Sequence, residues 1–215
     1  LLAKAHGKPY RLLPAVMTAR FQHPYLVCLS DKKYKPGDLN GKRIGQRSYS
    51  VTTAAWVRGM LMDEGVDLGS IRWVTFEDPH VAEFRDPPNV ERASAGKDMI
   101  AMLLAGEIDA AIAGDIPADE RIVPVYPDPQ AAAAAWRAKH GAIQVNHMVV
   151  VRSQMASSLS DEIYRLLNES RKAAGNPEMN PSGLEENRRN LEVAVDCVYR
   201  QGMIPRRFTV EELFR

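Results

Sequence analysis

Along the chain, short apolar runs alternate with stretches whose apolar positions recur at helical spacing. Residues 11–16, 25–29, 71–76, 110–113, 123–126 and 143–151 are compact runs of strand length rich in apolar residues, and 42–45 (Lys-Arg-Ile-Gly) reads as a further short strand. Pro14 interrupts the first of them, which places that strand at an edge or a bulge. Helical spacing appears over 51–63, carried by Val51, Ala54, Ala55, Val57, Leu61 and Met62, and again over 94–105, 128–140, 160–174 and 184–201. Glycines stand where these helices should stop, at 65, 106, 141, 175 and 202. Asp128-Pro129 and Ser160 read as helix starts, Thr209 with Glu212 as a capping box for a last short helix, and residues 1–7 as the end of a helix closing at Gly7. Residues 17–24 and 30–40 read as polar connections, and 77–92, rich in proline and charge, as an exposed loop. Strands alternating with helices, followed by a helical C-terminal third, predict an α/β fold with mostly parallel pairing.

The pattern is densest over 41–65, a buried strand, a hydroxyl-rich turn (46–50) and a helix capped by Ser50 and ended by Gly65. A polar turn feeding a helix N-terminus presents unpaired amides and the positive end of the helix dipole. Such a turn either seats a carboxylate, sulfonate or phosphate or simply joins a strand to a helix, and its spacing fits both.

Composition narrows the classes. A formal net charge of +1 gives no electrostatic case for nucleic acid or an acidic membrane. No apolar run approaches transmembrane length, and the two cysteines, Cys28 and Cys197, have no metal-like spacing and read as reduced, packed thiols. There is no P-loop, dinucleotide glycine fingerprint, zinc spacing or nucleophile elbow. Of five histidines, His6, His80 and His140 read as solvated. His23 follows Arg20 at the end of a connection, and His147 interrupts an apolar strand beside Asn146, where a polar ring must be hydrogen-bonded or face a cavity. Each is a structural residue or a catalytic one.

The runs SYSVTTAAWVRGML, SIRWV, GEID, VYPD and NHMVVVR, in this order, resemble the 4,5-dihydroxyphthalate decarboxylase family. Tyr49, Thr52, Trp56, Arg58 and Gly59 match its helix motif, Arg20 and His23 its arginine and histidine before the second strand, and His147 its strand histidine. Tyr199 to Gly202 and Thr209 to Phe214 are similar to its tail. Gln46-Arg47-Ser48 and Pro24-Tyr25 depart from it. The resemblance implies a type II periplasmic-binding-protein-like fold of two lobes with a ligand cleft between them, the N-terminal part of the first lobe missing. Lobe 1 would comprise 1–27 and 146–215 and lobe 2 residues 28–145, with hinge strands near 25–29 and 143–151.

The same resemblance implies a carboxy-lyase acting without oxidant, cofactor or metal on an aromatic dicarboxylate, in the cytoplasm. Arg20, Arg47, Ser48, Tyr49, Ser50, Thr52, Thr53 and Trp56 would bind the substrate, and His147 and His23 would serve as acid and base, chosen because imidazole titrates near neutrality. Trp56 has packing of helix on sheet as its other reading, and Arg58 an ion pair between lobes. The rival expectation is a periplasmic solute-binding protein that captures an aromatic or sulfonated anion without reaction. No nucleic-acid or membrane partner is expected, and oligomeric state is not legible.

Overall fold

The computed structural model describes all 215 residues. α1 (Leu2–Ala5) and β1 (Tyr10–Ala19) come first, and a 3-10 turn at His23–Tyr25 leads into β2 (Leu26–Leu29). β3 (Arg43–Gln46), α2 (Thr52–Asp63), β4 (Arg72–Thr75), β5 (Val90–Arg92), α3 (Met99–Leu104), β6 (Ala110–Ile112), β7 (Ile122–Pro124) and α4 (Pro129–His140) follow. β8 (Val145–Arg152), α5 (Ser157–Ala173), α6 (Leu184–Arg200) and a 3-10 turn at Glu211–Phe214 come last. The chain divides into two compact units, residues 22–136 and residues 1–21 with 137–215, the second boundary falling inside α4. No helix is long and apolar enough to cross a membrane.

The 22–136 unit is built on a six-stranded sheet in the order β5-β4-β3-β6-β2-β7. β3 pairs in parallel with β4 and β6, and β4 with β5, whereas β2 runs antiparallel to both β6 and β7. From β3 the chain moves outward to β4 and β5, then crosses to β6 on the other side of β3. The gap between the carboxyl ends of β3 and β6 is therefore a topological switch point, the place where open α/β sheets take ligands. One core joins Val27, Val74, Met102, Leu103, Ile108, Ala111, Ala113 and Ile122 beneath the sheet. Burying each large aliphatic contributes about 1.5–3 kcal/mol. Gly45 lies at the tightest point of β3. A Cβ there would sit 2.7 Å from Ile108 Cδ1 and 3.0 Å from Met99 Cγ, so a side chain at this position would force those two side chains to shift.

In the other unit β1 and β8 form a two-stranded antiparallel sheet, Tyr10 facing Arg152 and Ala19 facing Val145. The register slips between Leu12 and Val16, around Pro14, whose ring leaves no amide for the ladder. Leu191, Val195, Ile204, Val210 and Leu213 form its main core, against which Leu12 and Met148 pack. Asn190, on α6, accepts the Ile143 amide at 2.9 Å, tying the approach to β8 to that helix.

Several expectations need correction. Pairing is not mostly parallel, since β2 and the β1–β8 ladder are antiparallel. β1 runs on through Met17, Thr18 and Ala19, which were expected in a connection, because β8 supplies the ladder partners. The 77–92 loop ends in a strand, β5, which β4 stabilises by parallel pairing. The helix expected from Ser94 starts at Met99, because the Asp98 carboxylate accepts the Ala101 amide at 2.8 Å and fixes the start there. Ser160 lies inside α5, not at its cap, with its hydroxyl donating to the Ser157 carbonyl and accepting from Arg11. Gly65 does follow α2 at a φ of 79°, and Thr209 and Glu212 do cap each other.

Candidate functional site

β3 delivers Gln46 to the carboxyl edge of the sheet, level with Thr75 of β4 and Ile112 of β6. The next five residues turn the chain into α2. Arg47 ties this turn to the residues after β4, its carbonyl accepting from the amides of Phe76 (3.0 Å) and Glu77 (2.8 Å). Ser48 is fully buried, its hydroxyl 3.3 Å from that of Ser50. Tyr49 is buried as well, its ring stacked on Phe84 at 6.3 Å and edge-on to Trp73 at 6.4 Å.

A cation underlies the turn. Arg58, from the second turn of α2, is fully buried with its guanidinium 3.7 Å above the Tyr49 ring. Its Nη1 donates to Gln46 Oε1 and its Nη2 to the Tyr49 carbonyl, both at 2.7 Å. Arg58 is therefore a clamp within the 22–136 unit, joining the end of β3 to the turn.

The expected cap at Ser50 is not formed. α2 begins at Thr52 behind Val51, and no side chain caps it, because Ser50 Oγ instead accepts the His80 amide at 3.1 Å. The first helical bond runs from the Ala55 amide to the Val51 carbonyl at 3.0 Å, so the amides of Thr52, Thr53 and Ala54 have no carbonyl one turn back to pair with. Thr52 and Thr53, both half-buried, supply hydroxyls beside those amides. Arg47 sits at the rim, its Nε 3.2 Å from Glu77 and its Nη2 3.4 Å from His80 Nε2. The arrangement is an uncapped helix N-terminus with two hydroxyls and the Arg47–Glu77 ion pair beside it, chemically suited to an oxyanion.

His23 belongs to the same unit and the same edge of the sheet. Leu26 faces Ile112, and the Ala113 amide donates to the Tyr25 carbonyl at 2.9 Å, so the 3-10 turn bearing His23 lies just beyond the carboxyl end of β6. That turn packs against α2 and β7. The His23 ring is 2% exposed and meets the Tyr126 ring edge-on at 5.0 Å. Burial lowers its pKa to about 4, so it does not titrate near neutrality as assumed from sequence. The Tyr126 hydroxyl is also buried, with no hydrogen-bond partner, and burial, reinforced by Glu64 and Asp63, pushes its pKa upward.

This has a consequence for stability. Between about pH 4 and pH 6.5 the unfolded chain binds a proton at position 23 that the folded protein does not. The contribution is complete above pH 6.5 and lost as the pH falls through that window, by on the order of 3 kcal/mol. Thermal unfolding followed from pH 7 to pH 4 should show the loss, and His23→Gln should flatten that part of the profile. Identical slopes in the two proteins would contradict a buried neutral imidazole.

The structure thus gathers Arg47, Ser48, Tyr49, Ser50, Thr52 and Thr53 on one turn, with His23 in the same unit. Trp56 is 4% exposed and edge-on to Trp136 at 5.8 Å, packed as a core residue. Arg20 and His147 belong to the other unit, at one end of the β1–β8 ladder. The Arg20 amide donates to the Gln144 carbonyl at 3.1 Å, and His147, exposed, has Nδ1 2.7 Å from Thr18 Oγ1 on the facing strand. No group of three or more His, Cys, Asp or Glu side chains is placed to hold a metal ion. Sequence reading missed Gln46, Arg58 as a clamp, and His80. Arg58 had a signal, a charge flanked by Ala54, Val57 and Leu61 on an otherwise apolar helix, whereas nothing local marked His80.

No family model matches the sequence. The chain is 32% identical over 166 residues to a 4,5-dihydroxyphthalate decarboxylase of Comamonas testosteroni, covering 71% of this chain and 50% of that protein. It is 31% identical over 146 residues to one of Pseudomonas putida, covering 61% of this chain and 57% of that protein. The chain therefore spans about half the length of the curated relatives it matches. Among solved structures, the periplasmic aliphatic sulphonate binding protein SsuA of Escherichia coli aligns with a TM-score of 0.55 at 13% identity, over 99% of this chain and 75% of that one. The alkanesulfonate-binding protein SsuA of Xanthomonas axonopodis pv. citri, bound to MOPS, aligns with a TM-score of 0.52 at 14% identity, over the same shares. By fold the chain is type II periplasmic-binding-protein-like, and in sequence it is similar to two proteins named 4,5-dihydroxyphthalate decarboxylase.

Proposed function

We propose that the protein decarboxylates an aromatic dicarboxylate of the 4,5-dihydroxyphthalate type without oxidation, in the cytoplasm. The observation that carries the binding half is the uncapped first turn of α2 at the switch point of the 22–136 sheet. It offers amides and Thr52 and Thr53 hydroxyls to one carboxylate, with Arg47 at the rim and Arg20 as a further cation. The reactive half is supported by the two relatives, both named decarboxylases.

The chemistry needs one proton removed and one added. A base takes the proton from the ring hydroxyl para to the departing carboxylate, and the electron pair moves into the ring. A general acid protonates the ring carbon that carries that carboxylate, giving a dienone. The carbon–carboxylate bond then breaks, carbon dioxide leaves, and the bonding pair restores the aromatic ring as a phenolate, which takes back the proton held by the base. His23 and His147 are the proposed base and acid. His23, neutral at pH 7, can accept a proton as it stands, and a bound dianion nearby would raise its affinity for that proton. His147, held at Nδ1 by Thr18, keeps its other nitrogen for donation.

His147→Ala and His23→Gln should each lower turnover by about 10²–10⁴-fold while ligand affinity is retained. Unchanged turnover in either variant would remove that histidine from the mechanism. A second reading is a periplasmic binding protein that captures such an anion without reacting, and the low pKa of His23 favours it. Tight binding with no product would establish that alternative.

A further inference from the structure

We infer that Gln46 is a ligand-contacting donor of the α2 seat, and that Arg58 is the positioning residue that decides which of its polar atoms is offered. This rests on the anion seat proposed above but not on the reaction. Gln46 ends β3 at the switch point and is fully buried. A carboxamide carries an acceptor on one branch and two donors on the other. Arg58 Nη1 occupies the acceptor at 2.7 Å, and its Nη2 holds the Tyr49 carbonyl at the same distance, so one planar group fixes both the carboxamide and the turn above it.

What points away from Arg58 is therefore the amide NH₂ group. Gln46 Nε2 is buried and has no hydrogen-bond partner. A buried donor of this kind is disfavoured until something brings it an acceptor, and native proteins rarely leave one without a reason. The first-turn amides of α2, which follow Gln46 by six residues and which no side chain caps, are donors in want of an acceptor as well. A seat lined by donors selects an ionised oxyanion and rejects a group that must itself donate. Nε2 is closed off from solvent, so an oxygen reaches it as neighbouring side chains give way.

Gln46→Glu keeps the shape of the side chain and its place beside Arg58 while replacing the donor with a negatively charged acceptor. Gln46→Met removes both polar atoms. Binding of phthalate, 4,5-dihydroxyphthalate and benzenesulfonate would be measured by calorimetry, alongside the unfolding midpoint. Gln46→Glu should weaken every anion the wild type binds by about tenfold or more, with the midpoint at or above that of the wild type. Gln46→Met should weaken binding less, and Arg58→Lys, which loses the planar fork, should add little to the affinity loss already caused by Gln46→Met. Equal affinity in wild type and Gln46→Glu would overturn the assignment, as would a wild type that binds none of the three. Should Gln46→Glu not fold, Gln46→Met decides by the same comparison. A wild type that binds these anions but releases no carbon dioxide would defeat the decarboxylase reading and leave the Gln46 test in force.

Discussion

Arg58→Met should lower stability by about 2–4 kcal/mol, among the larger effects a single substitution in this protein can have. The guanidinium makes two hydrogen bonds of 2.7 Å to groups that remain in the mutant, Gln46 Oε1 and the Tyr49 carbonyl. Each acceptor left without its donor costs about 1–3 kcal/mol. Loss of the contact with the Tyr49 ring adds to this, while relief from burying a charge offsets part of it. In a chain of 215 residues the net corresponds to a fall of about 5–15 °C in the unfolding midpoint. Calorimetry of the purified variant would measure it. An unchanged midpoint would mean that Arg58 contributes no net stability as a clamp.

Thr52→Asp should act in opposite directions on folding and binding. A carboxylate at the first position of α2 meets the positive end of the helix dipole and amides that no side chain caps. That should stabilise the fold by about 0.3–1 kcal/mol. The same carboxylate occupies the seat proposed for the ligand and repels it, so affinity for an aromatic dicarboxylate should fall by about 10–100-fold. A small rise in midpoint with binding lost would locate the ligand at this turn. Unchanged affinity would place it elsewhere.

The strand–turn–helix around Gly45 was legible because it rests on local rules, a buried strand, a helical period and a left-handed glycine stop. Its cap was not. Ser50 has the right chemistry, but its hydroxyl is taken by the amide of His80, thirty residues on, and sequence gives no sight of that approach. The same fold-back carries the His80 side chain to Arg47, while the segment stays largely solvent-exposed as its composition predicts. β5 escaped notice because it is three residues long, two of them exposed, and exists by pairing with β4. Arg58 reads from sequence as a ligand contact or an ion pair between lobes. In the structure Ala54 through Leu61 are all buried, so the cation needs internal partners. For His23 the residue type was readable, but its depressed pKa follows from burial beside Tyr126, which only the assembled unit provides.

The direct test of the whole account is to incubate the protein with 4,5-dihydroxyphthalate and quantify carbon dioxide and the ring product. Carbon dioxide and 3,4-dihydroxybenzoate should form in equal amounts, with no added oxidant. Saturable binding of the diacid with neither product appearing would contradict it.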